Sequence, residues 1–379
     1  MEQVKGIGND AITVFYAMIN KRAAGIVHCS FVKARKTLLW IYQGQRAGET
    51  ATADKKEEEY PMKEYLEINS AQDGLPLHVL VEKPQGEPLG ILQLSHGMAE
   101  HKERYLPLME YLAEQGFLVA IHDHRGHGES VRSQEDLGYF YEQGARALVE
   151  DLYQVTQLLK DQYNRGGKLP FYLLGHSMGS LAVRAYCRRY DEALDGLIVC
   201  GSPSYNSGSR FGRLLAQKMA KRKGEHYRSK LINALAFGPF AKSVKGAATD
   251  FDWICSERAV IDAYIEDPLC GFTFTLNGFI SLFDLMAEAY APQGWQMHRP
   301  DLPIWFISGE EDPCMGSKKK FLSSVLFLQE RGYGEVSYRL YPGLRHEILN
   351  ERGKEQIFAE IAEKLRKWNR RAGAEEKPC

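Results

Sequence analysis

The sequence predicts an α/β domain with a mainly parallel central sheet, flanking helices and one inserted helical module. Three observations support this. From residue 65 onward, short apolar runs alternate with amphipathic stretches, the rhythm of strand–helix–strand units. Several runs are near-continuous in Val, Ile and Leu, as expected of strands covered on both faces. The rhythm then breaks between about 204 and 298, where helical patterns continue without convincing strands.

The elements follow in order. YLEIN (65–69) and PLHVLVEK (76–83) read as the first strands, and LGILQLSH (89–96) as the third. RYLPLMEYLAEQG (104–116) has apolar residues at three- and four-residue spacing and reads as a helix. FLVAIHD (117–123) is a strand, and ARALVEDLYQVTQLLKDQY (145–163) a long amphipathic helix. FYLLGH (171–176), MGSLAVRAYCRRYDE (178–192) and LDGLIVCGS (194–202) form a strand–helix–strand unit. After the helical block come the strand LPIWFISG (302–309), the helix KKKFLSSVLFLQERG (318–332), the strand EVSYRLYP (335–342) and the helix EQIFAEIAEKLRKW (355–368). The expected division is an extension at 1–61, a core at 62–203 and 299–372, a helical cap at 204–298 and a tail at 373–379.

Composition narrows the function. The 379 residues carry a net charge of -1, so no basic surplus draws the chain to nucleic acid or an anionic membrane. The seven cysteines are scattered with no C-x-x-C pair, which suggests reduced thiols and a cytoplasmic setting. No run of 18 apolar residues exists to span a bilayer. The early run AITVFYAMI (11–19) lacks a clear positive flank and a small-residue cleavage site, so it does not read as a signal peptide. No motif occurs in residues 1–61. Met62 opens a stretch resembling the start of a folded domain and is a candidate native start.

The chemistry concentrates at LLGHSMGS (173–180), which contains the G-x-S-x-G Gly175-His176-Ser177-Met178-Gly179. A strand runs into Ser177 and a helix starts directly after it, the context of a nucleophile elbow. Gly175 and Gly179 would let strand and helix approach. A serine hydroxyl needs a histidine base, and the histidine needs a carboxylate to hold its tautomer. In this architecture the acid and the histidine follow the serine along the chain, in loops after later strands. The strand at 302–309 runs into Glu310, Glu311 and Asp312, and the strand at 335–342 into His346. His226 lies in the helical block and His298 precedes a strand, so His346 is the expected base. The strand at 89–96 ends at His96-Gly97-Met98. The amides of Met98 and Met178 would form an oxyanion hole, with Gly97 permitting a tight backbone path.

With these residues in place the sequence resembles the α/β-hydrolase superfamily, and within it the monoacylglycerol lipase and lysophospholipase branch. HGMAEHKERY (96–105), DHRGHGES (123–130), GHSMGS (175–180), SGEEDPCMG (308–316) and YPGLRHEILNE (341–351) carry the resemblance across about 62–370. It implies Ser177 as nucleophile, Asp312 as acid, His346 as base, Met98 and Met178 as oxyanion donors, and no cofactor. It also implies a lipid ester as substrate and a cytoplasmic or membrane-peripheral setting. Short-chain carboxylesterases, proline-type aminopeptidases and cofactor-free haloperoxidases share the scaffold and stand as alternatives. In relatives the region of Glu100 and Arg104 lies beside the substrate head group; here they hold that group or form a salt bridge that fixes the loop.

Three further stretches have two readings each. His122, His124 and His127 make an H-x-H-x-x-H resembling part of a metallo-β-lactamase zinc motif. Gly126 stands where that motif has Asp, and a turn after the strand explains the same residues, so no metal is expected. GFTFTLNGFISLFDLM (271–286) would line an acyl tunnel or form the cap's own core. KMAKRKGEHYRSK (218–230) would touch a lipid surface or be a solvated helix face. Cys314 is expected to be a packing thiol.

Overall fold

A computed structural model of the chain describes residues 63–375. The expected extension at 1–61, the candidate start at Met62 and the last residues of the expected tail lie outside them. Eight strands form one sheet. They are β1 (Lys63–Asn69), β2 (Pro76–Glu82), β3 (Ile91–Ser95), β4 (Leu118–His122), β5 (Phe171–His176), β6 (Gly196–Cys200), β7 (Ile304–Gly309) and β8 (Val336–Tyr341). Their spatial order is β1-β2-β4-β3-β5-β6-β7-β8. β1 pairs antiparallel with β2, with Lys63 opposite Glu82, and β2 antiparallel with β4. Every later pairing is parallel. β3 to β7 are buried along their whole length, which is why they read as continuous apolar runs, whereas edge strand β1 alternates exposed and half-buried.

Helices cover both faces. α1 (Leu106–Glu114) and α9 (Lys354–Glu375) close one face over Leu92, Leu94, Ile121 and Ile307, burying Leu112, Ile361 and Leu365. α2 (Gly144–Tyr163) and α3 (Met178–Tyr190) close the other with Leu152, Val155, Leu181 and Ala185. Each such Leu, Ile or Val side chain contributes roughly 1.5–3 kcal/mol by leaving water. α8 (Lys318–Glu330) lies between β7 and β8, and the Ser317 hydroxyl starts it by accepting from the Lys320 amide at 3.2 Å. The expected helix at 104–116 is in two parts: a 3₁₀ turn over Lys102–Tyr105 precedes α1, whose Pro107 suits a first helical turn. α9 runs through the expected boundary at 372 to Glu375.

Between β6 and β7 the described chain forms α4 (Gly208–Lys223), α5 (Lys230–Ala241), α6 (Arg258–Glu266) and α7 (Leu276–Ala289). α7 begins at Thr275, whose hydroxyl accepts from the Gly278 amide at 3.1 Å. It buries Leu276, Phe279 and Leu285 in the same core as α2 and α3. Among the described residues, no helix is long and apolar enough to cross a membrane.

Candidate active site

β5 ends at His176, and Ser177 turns the chain into α3 with φ 53 and ψ -117. A residue other than glycine adopts positive φ only where surrounding contacts impose it. Here the Ser177 amide donates to the Cys200 carbonyl at 3.0 Å, and the Ser177 carbonyl accepts from the Ser180 hydroxyl at 2.5 Å. The flanking glycines are required by contact. A Cβ on Gly175 would overlap the Gly179 carbonyl, and one on Gly179 would overlap the Ser95 carbonyl of the neighbouring strand. α3 thus starts nearer the sheet than any side chain allows.

The Ser177 Oγ lies 2.8 Å from His346 Nε2. His346 Nδ1 lies 3.0 Å from each Asp312 carboxylate oxygen. A proton on Nδ1 shared with that carboxylate leaves Nε2 as an acceptor for the serine hydroxyl. Asp312 is itself held, accepting from the Cys314 amide at 2.9 Å and the Ser308 hydroxyl at 3.0 Å. Its neighbours Glu310 and Glu311 are exposed. Burial disfavours the charged form of His346, but the Asp312 charge and hydrogen bond outweigh it and raise the imidazole above its ordinary value.

The amides of Met98 and Met178 donate to no acceptor among the described residues, and Met98 lines the cavity above Ser177. Gly97 is needed for space, not for its φ. A Cβ there would press on the Glu100 carboxylate and the Ser177 Cβ; the positive φ falls two residues later, at Ala99 (φ 51). The Ala99 carbonyl is clamped from the insertion by the Gly271 amide and the Tyr264 hydroxyl, both at 2.9 Å.

Glu100 and Arg104 are engaged within the protein. Glu100 accepts from the Gly97 amide at 2.5 Å and the Tyr105 hydroxyl at 2.9 Å, and ion-pairs with Arg104. Arg104 also forms a two-pronged pair with Glu347, at 2.8 and 2.7 Å, and stacks on Tyr264. His176 lies 3.4 Å from Glu100 Oε1 and 3.3 Å from the His346 carbonyl. These bonds tie the loop together, and Glu100 also lines the cavity over Ser177.

A cavity of about 490 Å³ opens over Ser177, in the size range of ligand sites. Ser177, His346 and Met98 form its floor, and the insertion supplies apolar walls from Phe237, Trp253 and Phe272. The Trp253 ring sits 5.0 Å from that of His346. The 271–286 stretch divides between its two readings: Gly271 to Thr273 reach the cavity, while Phe274, Leu276, Phe279 and Leu285 are core. Cys314 is buried 4.0 Å from His346 Nε2, and burial pushes its thiol well above the ordinary value, as befits a packing group.

His122, His124 and His127 are fully buried with His96 beneath the Gly97 loop, ring against ring at 4.3 to 5.2 Å. His96 Nδ1 meets the Gly97 carbonyl at 2.7 Å, its Nε2 accepts from the His124 amide at 2.9 Å, and His124 Nε2 meets the Ser95 hydroxyl at 2.8 Å. Burial lowers all four, His96 to about 4 and His122 and His127 to about 3. Sequence reading did not single out Glu347, Trp253 or Phe237. Glu347 is adjacent to the expected base, a signal that was available; Trp253 and Phe237 reach the cavity only through the path of the insertion.

The family description "Serine aminopeptidase, S33" matches residues 86–353. A monoacylglycerol lipase of Mycolicibacterium smegmatis is 26% identical over 288 residues, covering 73% of this chain and 88% of its own. A monoglyceride lipase of Mus musculus is 25% identical, covering 74% and 82%. The crystal structure of a thermostable carboxyl esterase from Bacillus coagulans superposes with a TM-score of 0.73 at 24% identity, covering 81% of this chain and 99% of that one.

Proposed function

Because the chain belongs to the serine aminopeptidase S33 family, on an α/β-hydrolase scaffold, we propose that it hydrolyses carboxylic esters of lipids, with monoacylglycerols or lysophospholipids as substrates. The hydrogen-bond chain Asp312–His346–Ser177 at the floor of an apolar cavity carries this reading. His346 Nε2 takes the proton of Ser177 as Oγ attacks the ester carbonyl carbon. The amides of Met98 and Met178 hold the oxyanion, the Ser177 amide being committed to Cys200. The alcohol leaves with the proton from His346. Water, deprotonated by His346, then cleaves the acyl-enzyme and returns the serine.

The walls favour an acyl chain over a peptide. An aminopeptidase needs a carboxylate to receive an α-ammonium group; of the three that line the cavity, Glu100 and Glu347 are paired with Arg104, and Asp250 is exposed on the insertion. A face of the insertion suits contact with the lipid surface from which such substrates come. Phe211 and Leu214 on α4 and Leu231 and Leu235 on α5 are more than half exposed, and Lys221, Arg222 and Lys223 end α4 nearby in sequence. These exposed groups support a reading in which the enzyme works at the periphery of a membrane.

The test is fatty acid release from a matched panel of monoacylglycerols of several chain lengths, a lysophosphatidylcholine and a short acetate ester. The reading predicts release from long-chain lipids. Activity on the acetate alone would move the protein to the short-chain esterases.

A further inference from the structure

A second cluster of reactive side chains lies outside the Ser177 site, where the loop after Met98 meets the insertion. His101 ends that loop. Asp267 and Cys270 lie in the turn that follows α6. The ligand atoms of His101, Asp267 and Cys270 all lie within 4.8 Å of one another. His101 Nε2 faces Asp267 Oδ2 at 2.9 Å, and its Nδ1 faces Glu103 Oε2 at 2.7 Å. The turn is preformed: Asp267 Oδ1 accepts from the Leu269 amide at 2.8 Å, its carbonyl accepts from the Cys270 amide at 3.0 Å, and Oδ2 is left directed at His101.

We propose that His101, Asp267 and Cys270 form a site for a zinc-class divalent ion, separate from the Ser177–His346–Asp312 chain. One nitrogen, one sulfur and one carboxylate oxygen make the mixed set that borderline-soft ions such as Zn²⁺ take, with water in the fourth position. Tetrahedral zinc requires ligand atoms about 3.3–3.8 Å apart, so small side-chain shifts suffice. Glu103 occupies the outer position that a carboxylate takes behind a metal-bound histidine, accepting from Nδ1 and fixing Nε2 toward the ion. His101 and Cys270 are buried while Asp267 is partly exposed, which gives the ion an entry side. On binding, the thiol proton and the proton between His101 and Asp267 leave to solvent, and the ion takes their place.

The site has a mechanical consequence. His101 follows Ala99 and Glu100, and Cys270 precedes Gly271, whose amide donates to the Ala99 carbonyl. The ion therefore pins the insertion to the loop beside Ser177 and adds a bond to the hydrogen bonds and the Arg104–Tyr264 stack that join them.

The experiment is a Co²⁺ titration of the metal-stripped full-length chain, read as thiolate-to-cobalt absorption in the near ultraviolet with tetrahedral bands in the visible. One equivalent should produce the spectrum, Zn²⁺ should abolish it by displacement, and Zn²⁺ should raise the thermal midpoint. Cys270→Ala should lose the spectrum and the thermal shift, with circular dichroism verifying the fold; Cys270→Ser serves if it does not fold. Glu103→Gln should keep the spectrum but weaken affinity about 10–100-fold. Absence of the spectrum in the wild type, or its persistence without Cys270, would overturn the assignment. So would its loss in Cys314→Ala instead, which would place the ion at Asp312, Cys314 and His346.

Discussion

Arg104 grips the carboxylate of Glu347 with both ends of its guanidinium, at 2.8 and 2.7 Å, and Glu347 directly follows His346. The same guanidinium pairs with Glu100, whose other oxygen takes the Gly97 amide. One arginine thus ties the loop that carries the proposed base to the loop that carries a candidate oxyanion donor. Glu347→Gln keeps the volume and removes the charge. We expect kcat to fall about 10-fold, roughly 1.4 kcal/mol of barrier, with KM little changed. A residue that held the head group would instead raise KM. Steady-state kinetics on one long-chain monoacylglycerol separates the two.

The elbow depends on two backbones in contact. In Gly179→Ala the new methyl meets the Ser95 carbonyl, which no side-chain rotation relieves. We expect a loss of stability of about 2 kcal/mol or more, read as a lower thermal midpoint. Gly343→Ala is the control, a positive-φ glycine with open space around it; it should cost about 1 kcal/mol.

The proposed base, His346, must be neutral to accept the serine proton. With Asp312 beside it, His346 is raised above the ordinary histidine value of about 6.5, so kcat/KM should begin to fall above that pH as the solution is acidified. This shifts upward the limb near pH 6.5 that an unperturbed histidine would give. Asp312→Asn removes the charge that raises the imidazole. The limb should move to lower pH while kcat drops by roughly 10³–10⁴-fold. A pH profile of both proteins tests the pair.

Stability should depend steeply on acid. His96, His122, His124 and His127 are neutral in the fold because burial lowers them, to about 4 for His96 and about 3 for His122 and His127. The unfolded chain protonates them below about pH 6.5. Their contribution is complete above that pH and is lost as pH falls toward the folded values, at about 1.4 kcal/mol per pH unit for each histidine. His346, raised in the fold, acts oppositely and only above about pH 6.5. Unfolding followed between pH 7 and 5 should show a falling midpoint, and His122→Phe should flatten the slope.

What was legible in the sequence was what local pattern can encode. The buried strands read as apolar runs, and the elbow as two glycines around a serine, because period and contact impose those residues. Asp312 could be told from Glu310 and Glu311 only through the resemblance; the fold separates them by burying one and exposing two. The crossing of β3 and β4 in the sheet order leaves no trace in either strand. The same holds for contacts made across long separations. Arg104 finds Glu347 and His101 finds Asp267 only after the sheet and the insertion have formed. Periodicity marks the insertion as helical but does not say which apolar residues face the cavity. Phe272 does and Phe274 does not, two positions apart.

We propose above that Ser177 forms a covalent acyl-enzyme with lipid esters. The most direct measurement is mass spectrometry of the chain after an active-site phosphonylating probe, with peptide mapping, beside fatty acid release by Ser177→Ala. One adduct per chain, located on Ser177, and loss of long-chain monoacylglycerol hydrolysis in the variant are expected. An adduct on another residue, or hydrolysis that survives Ser177→Ala, would contradict this reading.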